Sequence, residues 1–286
     1  MIQIGDFRIH LINDSQILND AGGVFGLVPR ALFKDRYPVD ANNFMPMHHH
    51  CLYVEANGRK IIVDTGYGDK LTEKQRGFLH LTPDRGRLLD ALARIGVRPD
   101  EIDLVIDTHL HNDHSGGNTM QTPDGQIVPV FPNAEYVVQR REYEDALRPN
   151  ERTRATYIAA NFQPLVEGGQ MRLLDGDTEL APGIVGIVTP GHTPGHMSVR
   201  FESGGQQAAF ICDLASYAIH FERLGWMTAY DVEPLITLET KRVWQKWALE
   251  TGALLFFTHE PYHPVGRFTL DADGKPRVVP VDVEIV

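Results

Sequence analysis

Thr108-His109-Leu110-His111-Asn112-Asp113-His114 constrains this chain more than any other stretch. Four side chains able to ligate a metal fall within six residues. They come directly after Leu104-Val105-Ile106, an apolar run that reads as a short buried strand. Imidazole nitrogen and carboxylate oxygen both bind zinc at about 2.0–2.2 Å. A loop leaving a strand end can aim alternate side chains at one point. His109 and His111 could then hold one ion while Asp113 and His114 face a second. Four ligands in so short a loop cannot easily all serve one tetrahedral ion, and a catalytic zinc keeps a position open for water. Two ions, completed by distant ligands, is the simpler solution.

Further donors follow the same pattern. Thr189-Pro190-Gly191-His192-Thr193-Pro194-Gly195-His196 is a histidine-bearing turn set by Pro and Gly. Asp213 follows the apolar run Ala208–Cys212, where an unpartnered carboxylate would be costly and a metal is the strongest partner. His259 follows Leu254–Phe257 in the same way. His196 and His263 stand near these positions but outside the set. His48-His49-His50 could bind metal, yet it does not fit the strand-end pattern and reads as loop or strand-edge structure. His10, His80 and His220 read as ordinary surface or core histidines.

The remaining chain reads as one domain over 1–286, without repeats or a Pro/Gly/Ser-rich linker. Phe7, Ile9 and Leu11 alternate with polar residues as in a half-buried strand. Residues 14–47 read as a long irregular segment carrying Val24, Phe25, Leu27, Phe33, Phe44, Met45 and Met47. Such a segment suits a lid, a substrate wall or a dimer contact. Strands are expected at Cys51–Ala56 and Lys60–Asp64, joined by an Asn57-Gly58 turn. Others are expected at Ala134–Val138, Ile184–Val188, Ser198–Phe201, Ala208–Cys212, Leu254–Phe257, Gly266–Leu270 and Val278–Val283. Helices are expected over Asp84–Ile95 and over Glu233–Glu250, the latter with Ile236, Val243, Trp244 and Trp247 inward. Strand groups with helices between them imply layered α/β sheets covered by helices. The net charge of −11 without a Lys/Arg run argues against nucleic acid and against an anionic membrane surface. No stretch approaches the ~18 apolar residues of a membrane-spanning helix, and the N-terminus lacks signal-peptide features. Cys51 and Cys212 read as two buried free thiols of a reducing, cytoplasmic compartment.

At the level of motifs, His109 to His114 resembles the His-x-His-x-Asp-His signature of the metallo-β-lactamase-fold hydrolases. Val63-Asp64-Thr65-Gly66 is similar to that family's second-strand motif, whose Asp supports a ligating histidine. The loop 189–196 resembles its third-histidine loop. The resemblance implies a four-layer αβ/βα sandwich with metals at one sheet edge. It implies His109, His111 and His192 on one ion, Asp113, His114 and His259 on the other, and Asp213 bridging. The ions implied are two zinc, with manganese, cobalt or iron as alternatives. A hydroxide shared between them would be the nucleophile, and Asp113 would carry the proton to the leaving group.

Such a centre suits several bonds in small-molecule substrates. Val24-Phe25-Gly26-Leu27-Val28-Pro29-Arg30 looks like the N-terminal segment of N-acyl homoserine lactonases, the quorum-quenching enzymes, and of related organophosphate hydrolases. This implies substrate contacts from Phe25 and Leu27. In the lactonases a tyrosine just after the bridging Asp assists at the carbonyl. The resemblance implies that catalytic and substrate-binding role for Tyr217, four residues after Asp213, with Ser216 at the lactonases' three-residue spacing. Lactone opening, on N-acyl homoserine lactones, is the expected reaction. Phosphotriester hydrolysis and glyoxalase-II-like thioester hydrolysis are the alternatives. Di-iron redox relatives replace some of these histidines with carboxylates and carry a flavin domain, unlike this chain.

Overall fold

The computed structural model describes residues 1–82 and 86–286. Its strands run in chain order into two sheets. The first sheet begins with β1 (Ile2–Ile4), β2 (Phe7–Asp20), β3 (Phe44–Ala56), β4 (Arg59–Val63) and β5 (Leu104–Ile106). A small hairpin, β6 (Thr119–Gln121) and β7 (Ile127–Pro129), stands apart. β8 (Glu135–Gln139) and β9 (Met171–Leu174) then extend the first sheet beyond β5, with β4, β5, β8 and β9 mutually parallel. The second sheet is β10 (Thr178–Ala181), β11 (Ile184–Val188), β12 (Met197–Ser203), β13 (Gln206–Phe210), β14 (Leu254–Phe256), β15 (Val265–Leu270) and β16 (Pro276–Pro280), in that order. Only β13 and β14 pair in parallel there.

Side-chain alternation along the strands sorts the apolar residues into layers. Ile9, Leu11, Leu52 and Val54 meet Val199, Phe201 and Phe210 in a core between the two sheets. Cys51, Tyr53 and Ile62 point the other way, onto Leu88, Ala91 and Leu92 of the helix Leu88–Arg94. On the far side Ala209, Leu255 and Phe268 pack against Trp244 and Ala248 of the helix Pro234–Thr251. The result is the expected four-layer αβ/βα sandwich. Burial on both faces explains the unbroken apolar run Leu104-Val105-Ile106, as parallel interior strands require.

Several expectations change in detail. Residues 14–47 are not one irregular segment. β2 continues to Asp20 and β3 begins at Phe44, so 14–20 and 44–47 pair as an extended ribbon. Its mixed polar sequence, Asp14 to Asp20, hid the strand because it shows no clean apolar alternation. Only the tip, with short helices Ala21–Phe25 and Arg30–Phe33, departs from strand. His48-His49-His50 is therefore interior strand, paired across to Gln16, Ser15 and Asn13. On the helix Pro234–Thr251 the inward face is Thr237, Lys241, Trp244, Gln245 and Ala248. Ile236 and Val243 are exposed. Lys241 is buried because its ammonium donates to the carbonyls of His220 and Trp226, a polar pairing that an apolar-periodicity argument overlooks. Of the expected helix Asp84–Ile95, Asp84 and Arg85 lie outside the described residues; the helix occupies Leu88–Arg94.

Candidate metal centre

Four strand ends deliver the histidines and aspartates to one place. The loop after β5 carries His109 and His111, and the short helix Asn112–Ser115 carries Asp113 and His114. His192 lies between β11 and β12, Asp213 just after β13, and His259 just after β14. Two glycines let the 189–196 turn close. A Cβ on Gly191 would sit 2.3–2.5 Å from Thr237, and one on Gly195 would sit 2.3 Å from the Glu142 backbone.

Asp213 is the hub. Its Oδ2 lies 3.2 Å from His114 Nε2, 3.3 Å from His192 Nε2 and 3.6 Å from His109 Nε2. Its Oδ1 lies 3.2 Å from His259 Nε2. His192 Nε2 and His111 Nδ1 are 3.1 Å apart. Asp113 Oδ2 faces His114 and His259 Nε2 at 3.6 and 3.7 Å. Two donors about 2.1 Å from a shared ion, at a tetrahedral angle, would be about 3.4 Å apart. His109, His111 and His192 form one convergent group; His109, His114 and Asp213 form another. The Nε2 atoms of His109, His114 and His259 are buried without a hydrogen-bond partner. Orphaned buried lone pairs converging on carboxylates fit metal ions better than any internal hydrogen-bond scheme.

The surrounding groups hold the rings in the ligating tautomer. Asp64 Oδ2 meets His114 Nδ1 at 2.9 Å, and Asp64 also accepts from the Thr108 amide and hydroxyl. Asp231 Oδ1 meets His192 Nδ1 at 3.0 Å and accepts from Thr228 Oγ1. His259 Nδ1 donates to the His48 carbonyl at 2.7 Å. Burial, reinforced by His114, His111 and His192, holds His109 well below the usual imidazole range. Burial and His192 push His111 down to about 3. Burial pushes the Asp213 carboxyl up, but His259, His192 and His114 outweigh it and hold it well below the usual carboxylate range. Neutral imidazoles and ionised carboxylates are the forms that bind cations.

A cavity of about 290 Å³ opens onto this cluster. Its floor includes His111, Asp113, His192, Asp213 and His259; its walls include Ile17, Val24, Met47, Tyr67, Phe78 and Leu79. Tyr217 lines the cavity too, but its hydroxyl donates to the Pro46 carbonyl at 3.2 Å. Ser216, also at the cavity, donates to Asp213 Oδ1 at 2.7 Å. The structure does not bring Phe25 or Leu27 to the cavity. Phe25 is buried behind the wall, stacked on Phe33 at 3.8 Å, and Leu27 is fully exposed. His196 turns Nε2 to the Asp213 amide, and His263 lies on the surface.

Sequence reasoning missed Asp231 and Glu142. Glu142 is buried and accepts from the Leu110 amide, Tyr157 hydroxyl and Thr193 hydroxyl. It thereby ties the 108–114 loop to the 189–196 loop. Neither residue stands in a local motif, and only the fold brings each to its histidine loop.

This arrangement of sheets and donors defines a metal-dependent hydrolase of the metallo-β-lactamase type. The chain belongs to the Metallo-beta-lactamase superfamily, whose family profile matches residues 45–270. Among curated relatives, an N-acyl homoserine lactonase of Bacillus thuringiensis is 28% identical over 220 residues, covering 73% of this chain and 80% of the relative. A lactonase of Bacillus cereus is 26% identical over 228 residues, covering 76% and 83%. Among solved structures, a probable metal-dependent hydrolase from Staphylococcus aureus superposes with a TM-score of 0.89 at 27% identity, covering 99% of this chain and 100% of that one. The dizinc quorum-quenching lactonase AidC, with bound product, shares the fold at a TM-score of 0.81 and 21% identity, covering 99% and 97%.

Proposed function

We propose that the protein opens neutral lactones bearing a hydrophobic arm, with N-acyl homoserine lactones as the substrate class. The carrying observation is the apolar cavity that ends on the Asp213 cluster. His109, His111 and His192 would hold one ion, Asp113, His114 and His259 a second, and Asp213 would bridge. Zinc is the metal expected. Divalent ions bound there supply Lewis acidity at the carbonyl and a water-derived nucleophile at neutral pH. Asp113 has a 16% exposed side chain at the cavity floor, so its carboxylate can accept the proton and return it to the leaving alkoxide. Ser216 donates to the Asp213 carboxylate and so would fix its orientation toward the ions. Ile17, Val24 and Met47 would flank the acyl arm and exclude water from it.

The names of the Bacillus lactonases support this reading. The test is a hydrolysis panel on metal-analysed protein, with homoserine lactones of increasing acyl length, an aryl phosphotriester and a glutathione thioester. Each buried methylene contributes about 0.8 kcal/mol, roughly fourfold. kcat/KM should therefore climb along the acyl series until the cavity is full. Inert lactones alongside rapid phosphotriester or thioester turnover would leave the hydrolase and remove the lactonase.

A further inference from the structure

His49 is the one member of the 48–50 triple whose ring points at the metal cluster. His48 and His50 put Nε2 on Gln16 Oε1 and on the Glu260 carbonyl. His49 instead aims Nε2 at Asp113 Oδ2, 3.6 Å away, and shares a convergent group with Asp113 and His259. That separation is too long for a hydrogen bond. The Nε2 atom is buried and has no hydrogen-bond partner. The other ring nitrogen sits 3.4 Å from the Ser15 carbonyl and 3.2 Å from the Ser15 hydroxyl. With its proton on Nδ1, donated to the Ser15 carbonyl, the ring turns its Nε2 lone pair to Asp113. Strand register produces this aim. The β2–β3 pairing shifts between Asn13 and Ser15, which sets Ser15 opposite His49. Bulges of this kind re-aim side chains beside functional sites.

We propose that His49 is a further protein donor to the ion held by Asp113, His114 and His259. The inference rests on the two-ion reading above. It raises that position to five side-chain donors, Asp213 included, which exceeds the four of a tetrahedral zinc site. The position would therefore accept cobalt or manganese readily, while the His109–His111–His192 position keeps a smaller set.

The test titrates the full-length, chelator-stripped protein with Co²⁺ alone, by calorimetry and visible absorption, for wild type, His49→Phe and His114→Ala. In His49→Phe one of the two Co²⁺ steps should lose tenfold or more, and the other should stay within twofold. The cobalt band should intensify as the coordination number falls. A crystal of the unaltered protein with Co²⁺ provides a readout independent of the variant's folding. There His49 Nε2 should lie about 2.1 Å from the ion, an imidazole–metal bond length. Unchanged binding in His49→Phe, or a crystal with that nitrogen beyond about 3 Å of the ion, overturns the proposal. If His114→Ala loses one step while His49→Phe keeps both, only the His49 assignment fails. If His114→Ala also binds two ions normally, the two-ion reading fails with it.

Discussion

A single carboxylate organises the centre at the residue scale. Four imidazole nitrogens lie within 3.6 Å of the two Asp213 oxygens. Asp213→Ala leaves the facing histidines without a counter-charge. It should lose at least one ion and most turnover, by metal analysis and kcat/KM. Asp213→Glu keeps the charge but moves it by a methylene, so metal should be retained better than activity. Normal metal content and turnover in Asp213→Ala would exclude a bridging role. Asp231 acts one step further out, through His192 Nδ1. Removing such an outer partner costs about 10–100-fold in metal affinity. Asp231→Ala should weaken metal binding by that order in a competition assay with a chromogenic chelator. An unchanged affinity would show that His192 needs no outer partner.

Among elements, the strand ends matter more than the strands. Glu142 clamps two of the donor loops through three hydrogen bonds, and it is fully buried. Glu142→Ala would strand the Leu110 amide and two hydroxyls. At about 1–3 kcal/mol for each unsatisfied group, the loss should be at least ~2 kcal/mol in urea unfolding. A loss under about 0.5 kcal/mol would mean that water replaces the clamp. Phe25 belongs to a different element, the tip of the β2–β3 ribbon, where it touches Phe33, Tyr37, Tyr217 and Trp226 rings. Phe25→Ala should cost about 3–5 kcal/mol of stability, as large-to-small core changes do. Its effect on acyl-length preference should be indirect. These elements also show what the sequence could reveal. The donor loops were legible because ligand spacing after an apolar strand is a local signal. The Asn57-Gly58 turn was equally legible, and both residues adopt positive φ. Asp231, Glu142 and His49 were not, because each acquires its role from a partner far along the chain. The ribbon was hidden because its walls face a cavity and each other, so its apolar residues show no clean alternation.

For the whole molecule, the sandwich keeps an unusual number of histidines neutral in its interior. Burial holds His48 and His49 down to about 4, and His50, His111, His196 and His220 down to about 3. In the unfolded chain these rings take up protons near pH 6.5. Below that pH the unfolded state therefore binds protons that the folded state cannot, and stability falls with acid. Four buried carboxyls work against this, Asp107 among them, which burial pushes well above the usual carboxylate range. Burial raises Asp14 to about 6 and also raises Glu142 and Glu260, so their protonation favours the folded form. At His114 and His192 neighbouring acidic groups outweigh burial and raise the ring. Near pH 6.5 those two hold more protons in the folded state and so oppose the loss; well below it they are protonated in both states and add no slope. With His10 and His109 also lowered, eight imidazoles outnumber four raised carboxyls, and the sign stays with the histidines. Metal-stripped protein should thus lose stability from pH 6.5 to 4.5 more steeply than about 1.4 kcal/mol per unit, the slope for one proton. Protons also compete with cations for the donor rings. The rise in Tm that zinc confers should accordingly shrink across the same interval. Urea unfolding of the stripped protein and thermal unfolding with and without zinc would measure both. A stripped protein equally stable at pH 6.5 and 4.5 would show that these histidines are not held neutral by the fold.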